Sequence, residues 1–131
     1  MTRPSWHRIH VHSSPRVVGI ADHRSGGDRS RWINSAIERY AAICDAEKPE
    51  LKWLFTQAQA AEMIAATASP PYNHEVIHWL IISVTTDIRL SQLMHGLHAT
   101  QRCVLCECLD SWHRRNATDS TIQPTAEELF R

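Results

Sequence analysis

Three groups of residues in this 131-residue chain have side chains and spacing that could do chemistry. His74-Glu75-Val76-Ile77-His78 is a His-Glu-x-x-His pattern. On a helix its two imidazoles fall one turn apart on the same face, where they could hold zinc while Glu75 polarises a bound water. A third ligand would have to come from Asp87 or His95, and neither stands at a diagnostic spacing. Cys103-x-x-Cys106, with Cys108 and His113 beyond, also has metal-ligand spacing. A zinc knuckle needs a turn between its cysteines, however, and Val104-Leu105 is helical and apolar, so core packing is the expectation for these thiols and for Cys44. The third group is the basic front. Residues 1–40 carry seven arginines (3, 8, 16, 24, 29, 31 and 39), four histidines and three acids, a net +4 balanced by −4 in residues 41–131. A chain with zero formal charge overall therefore has an end suited to an anionic partner.

Hydrophobic residues make up 43% of the chain, enough for a core, so a wholly disordered protein is excluded. Four unevenly spaced cysteines do not suggest a secreted disulfide scaffold. The first ten residues lack the apolar centre of a signal peptide. The greasy run at 76–84 falls well short of the roughly 20 residues a membrane helix needs. A cytoplasmic protein with no cofactor and no membrane partner is expected.

The elements that must position these groups are mostly helical. In residues 7–12, Ile9 and Val11 alternate with Arg8, His10 and His12, the period of a short strand. Ser14-Pro15 is a helix start and Gly26-Gly27 a helix stop. Asp28 caps a second helix with an apolar face at Ile33, Ala36, Ile37, Tyr40, Ala41 and Cys44. Lys48-Pro49 predicts a break, followed by a helix over 50–66, and Ser69-Pro70-Pro71 a second break. Asn73 then caps a helix to about 86. A short helix over 87–97 closes at Gly96, and a last helix over 99–115 presents Val104, Leu105, Cys108, Leu109 and Trp112. His95 and His98 read as surface or capping residues. Residues 116–131 read as a loose tail whose final 125–131 either forms one helical turn or is disordered. Trp32, Trp53, Trp79 and Trp112 are expected in a core or an interface, and Trp6 at the end of the strand or against a partner.

A lone strand needs a partner for its backbone groups. One solution pairs the strand with its copy across a two-fold axis, placing Arg8, His10 and His12 on an open ribbon face that fits the DNA major groove. The alternative pairs 7–12 with 16–20 as a hairpin, because Gly19 among Val17, Val18 and Ile20 suits a strand. The strand at 8–13, the helix from Pro15, the Gly26-Gly27 turn and the Asp28-Arg29-Ser30-Arg31-Trp32-Ile33-Asn34 helix start together resemble the ribbon-helix-helix family of Arc-, MetJ- and CopG-like repressors. The resemblance covers residues 8–44. Gln101-Arg102-Cys103 and Trp112-His113-Arg114-Arg115 resemble the helical extension that some phage and plasmid proteins append to that module.

The resemblance implies a mainly α protein: a ribbon-helix-helix-like dimerisation and DNA-binding module at 1–47, a helical bundle at 48–115 and the tail at 116–131. It implies a homodimeric, sequence-specific transcriptional regulator rather than an enzyme. Arg8, His10 and His12 would read bases, Arg29, Ser30 and Arg31 would position phosphates at a helix N-terminus, and the helical extension would be free to bind a second protein. The other readings are a protein-interaction module, such as a phage-encoded inhibitor of a host nucleoprotein complex, and a small zinc hydrolase built on His74, Glu75 and His78.

Overall fold

The computed structural model describes residues 7–68 and 72–131. Trp6 and the Ser69-Pro70-Pro71 break lie outside them. The described residues form seven helices: α1 (Pro15–Ser25), α2 (Arg29–Leu54), α3 (Gln57–Ala66), α4 (Ile77–Ile82), α5 (Ile88–Gly96), α6 (Ala99–Thr118) and α7 (Ala126–Leu129). None of these helices is long and apolar enough to cross a membrane.

No strand occurs among the described residues, which overturns the ribbon-helix-helix-like fold. Residues 7–12 alternate as a strand should, yet every residue of 7–14 is exposed and the segment has no regular structure. Alternation alone cannot make a ladder. Among the described residues no neighbouring edge offers this segment a ladder partner. The hairpin alternative fails as well, because residues 16–20 are helical. Ser14 accepts a hydrogen bond from the Val17 amide (3.2 Å) and Pro15 opens the first turn, and this start outweighs the local β-branched composition.

The chain divides into two compact units, Met1–Tyr40 and Ala41–Arg131. The division precedes the expected boundary at 47 because Cys44 already belongs to the second core. In the first unit α1 ends where Gly26 (φ 60°) and Gly27 (φ 99°) turn the chain through backbone conformations that side-chain-bearing residues avoid. The Asp28 carboxylate then accepts from the Arg31 amide (3.1 Å) and starts α2.

The second unit is built around Leu51, Met63, Ile77, Ile81, Leu90, Met94, Leu105 and Leu109, all fully buried. Helix α2 runs through Pro49 instead of breaking there. Proline removes one backbone donor, but Cys44 and Leu51 bury the same face on either side of it and hold the helix together. The break comes at Phe55-Thr56, where Thr56 and Gln59 exchange a reciprocal capping box (3.1 and 3.0 Å). Gln59 also donates to Asp87 (3.2 Å). The other Asp87 oxygen caps α5 through the Arg89 and Leu90 amides, and these bonds hold the carboxyl below its usual range. Helix α4 packs on α3, α5 and α6. His98 caps α6 by accepting from the Gln101 amide (3.2 Å). The buried face of α6 is Val104, Leu105, Cys108, Leu109 and Trp112, as its spacing predicts.

Residues 116–131 are not a loose tail throughout. Thr125 caps α7, Ala126, Leu129 and Phe130 are buried, and Phe130 stacks on Phe55 with ring centroids 5.9 Å apart. The tryptophans divide. Trp112 is buried and Trp32 half-buried, but Trp79 is exposed and Trp53 is 89% exposed at the end of α2.

Candidate nucleic-acid interface

The first unit gathers five of the six residues expected to contact DNA. Arg8, His10 and His12 from the N-terminal segment, with Arg29 and Ser30 from the start of α2, line one open groove of about 720 Å³. Arg31 lies outside it. The groove is floored by apolar groups of three origins: Ile9 and Val11 of the segment, Val17, Val18 and Ala21 of α1, and Ile33 and Ile37 of α2. The α1–α2 turn brings these surfaces together.

Two contacts alter the roles that spacing alone suggests. Arg29 donates from Nε to the Asp22 carboxylate (2.8 Å), clamping α2 to α1 across the glycine turn. The Arg31 amide, one of the donors a phosphate would use, is taken by the Asp28 carboxylate. A negative side chain thus already sits at the α2 N-terminus. The arginines left unengaged are elsewhere: among the described residues Arg8, Arg16, Arg24, Arg31 and Arg39 make no side-chain ion pair or hydrogen bond, and all five are exposed. Side chains of this kind can each neutralise a phosphate at little desolvation cost. Sequence spacing misses the Asp22–Arg29 tie, since its partners stand seven residues apart on different helices.

The zinc-like pattern is taken apart by the fold. Residues 74–76 form a turn, closed by the Glu75 amide donating to the Asn73 side chain (2.8 Å), and only His78 is on α4. The expected helix over 73–86 is thereby cut to six residues, because Asn73 makes a tight turn instead of capping a continuous helix. His78 is buried with its ring 4.7 Å from Trp79 and 6.5 Å from exposed His95, and its Nδ1 has no partner. Burial, then Arg102 and His95, push its pKa down. Among the described residues no three His, Cys, Asp or Glu side chains converge as a metal site would require.

Cys44 and Cys108 are buried, and Cys103 and Cys106 half-buried. Burial pushes the Cys106 thiol up to about 11 and the Cys108 thiol up to about 12, the opposite of an activated nucleophile. One polar cluster is invisible to spacing. Thr67 at the end of α3 lies 3.3 Å from His113 Nε2, and the Tyr72 ring tilts over the same imidazole. The Thr67 hydroxyl donates to the Met63 carbonyl (2.7 Å). That is the bond of a helix-end hydroxyl, while the approach to His113 ties the end of α3 to α6.

No family model, curated protein or solved structure matches the chain.

Proposed function

We propose that the protein is a DNA-binding regulator that engages the duplex through the basic surface of residues 7–40. The observation that carries this reading is the set of five unengaged, exposed arginines, Arg8, Arg16, Arg24, Arg31 and Arg39, on a unit of net charge +4. Arg8, with His10 and His12, is on a segment lacking regular structure that can follow a groove of the duplex. Arg16, Arg24, Arg31 and Arg39 are on helices and serve the phosphates. Arg29 acts indirectly, by fixing α2 against α1 through Asp22. Regulation is by occupancy: bound protein blocks access to the site it covers. The reading implies a cytoplasmic protein.

The test is anisotropy of a labelled duplex. Four neutralised phosphates give a log–log salt slope of about −3.6, a loss of about 150-fold between about 50 and 200 mM salt. Arg16→Ala and Arg31→Ala should each lower affinity for every sequence and reduce the slope by about 1, while Arg8→Ala should lower sequence preference. An absence of duplex binding at about 50 mM salt overturns the reading. Saturable binding to an acidic protein by the same arginines would then make the unit an interaction module.

A further inference from the structure

The second unit has a cavity of its own, about 620 Å³, walled by the starts of α3 and α6, by α5 and by the end of α2. That volume falls within the roughly 300–1,000 Å³ of small-molecule sites. Its apolar wall is Leu54, Leu93 and Leu97. Its polar wall is Arg89 with Gln59, Gln92 and Gln101. A few convergent polar groups beside an apolar wall make up the lining that such sites share.

The charge of the wall selects the occupant. Arg89 is its cation, and among the described residues no carboxylate lines it. Arg89 stands in the first turn of α5, the wrong end of a helix for a cation. Its guanidinium makes no ion pair or hydrogen bond among the described residues. Asp87 stands two residues before it, but its oxygens are held by the Arg89 and Leu90 amides and by the Gln59 side chain. Two capping boxes add to the same sign. Each takes a glutamine at its third position, Gln59 in α3 and Gln101 in α6, and both glutamines line the cavity. A capping box admits glutamate equally well. With glutamine there, and no acid in either first turn, the positive ends of both helices stay uncompensated. Gln59 is buried and locked by its bonds to Thr56 and Asp87, so this wall is rigid before any ligand arrives.

We propose that this cavity binds a small organic monocarboxylic acid. The carboxylate pairs with Arg89, and the apolar body lies on Leu54, Leu93 and Leu97. The glutamine amides, which both donate and accept, hold polar atoms between the two. One guanidinium matches one carboxylate through two parallel N–H···O bonds. A ligand of two or three charges finds no second cation in the wall. The cavity lies wholly within the second unit, so binding there stands or falls separately from binding of a duplex by residues 7–40.

Nitrogen–proton correlation spectra of the full chain test it. The probes are hexanoate, phenylbutyrate and N-acetylleucine, each compared with its own uncharged primary amide. At least one acid should shift the Gln92, Gly96 and Leu97 signals with a Kd of about 1 mM or below. Its amide should bind at least about tenfold more weakly. Arg89→Gln should weaken the acid at least about tenfold, and Arg89→Lys, which keeps the charge and loses the fork, should weaken it less. Gly96→Leu should abolish binding: a Cβ at Gly96 meets nothing within 4 Å, so the helix accepts the side chain and the cavity is filled. Arg114→Gln, which removes an exposed charge elsewhere on α6, should leave binding unchanged. The far-ultraviolet spectrum of each variant checks the helices, and the comparison of acid with amide needs no variant. No shift of those signals by any of the three acids at about 10 mM overturns the proposal. So does equal binding of acid and amide, binding that survives Arg89→Gln or Gly96→Leu unchanged, or binding lost in Arg114→Gln.

Discussion

Truncating Phe130 tests whether the last residues are part of the core. The ring is buried and stacked on Phe55 at an interplanar angle of 18°. Its neighbour Leu129 is buried as well, the Arg115 guanidinium donates to the Glu128 carbonyl (2.8 Å), and the Lys48 ammonium donates to the Arg131 carbonyl (3.2 Å). Phe130→Ala removes a buried ring from a site that these bonds keep from collapsing, so a loss of about 3–5 kcal/mol is expected. A domain of this size has about 5–14 kcal/mol in total. With a urea dependence of about 1.5 kcal/mol per M, the unfolding midpoint should fall by about 2–3 M. Phe55→Ala should cost a similar amount. The double variant should cost less than the sum of the two, by about 0.5–1.5 kcal/mol, because the ring–ring contact is lost once. The assay is urea unfolding followed by circular dichroism at equilibrium. A Phe130→Ala loss below about 1 kcal/mol, or strict additivity with Phe55→Ala, would refute the packing and restore the loose tail.

Three further outcomes follow from the second unit. Thr56→Ala removes one half of the capping box that starts α3 and should cost about 1 kcal/mol in the same urea assay, whereas Thr56→Ser should cost much less. His78 and His113 are both held below the ordinary histidine value, chiefly by burial, so the unfolded chain takes up protons first. Stability should accordingly be fully present above about pH 6.5 and fall as pH drops through that value toward the lowered folded pKa. His78→Leu should flatten that slope, and an unchanged slope would remove His78 as a contributor. With its thiol raised to about 11, Cys106 has about one part in a thousand of thiolate at pH 8, and Cys108 has less. Both should react with a disulfide reagent far more slowly in the native protein than in urea, and equal rates would contradict their burial.

The helix signals that the sequence carries most clearly are chemical rather than statistical. Ser14-Pro15, Gly26-Gly27 and Asp28 each satisfy or release a particular backbone group, and α1 begins and ends, and α2 begins, where they stand. The apolar face of α6 is legible for the same local reason. What could not be read depended on distant neighbours. Pro49 is a stronger breaker than Phe55-Thr56 by composition, yet the burial of Cys44 and Leu51 carries α2 through it. The alternation at residues 7–12 is real, but a strand exists only with a partner edge. Arg8, His10, His12, Arg29 and Ser30 were legible as a group because cap chemistry fixes the α1–α2 turn that gathers them. The diversion of Arg29 to Asp22, and of the Arg31 amide to Asp28, was not, since both depend on side-chain placement across that turn.

The position of Trp53 has an optical consequence. An indole standing almost wholly in water emits at the red edge of the tryptophan range and collides freely with dissolved iodide, while Trp112, at 6% exposure, does neither. Quencher added to the intact protein therefore dims Trp53 at the far end of α2 most and exposed Trp79 with it, and leaves the glow of Trp112. Any molecule that settles on that end announces itself by shielding the light, with no dye attached and no residue changed.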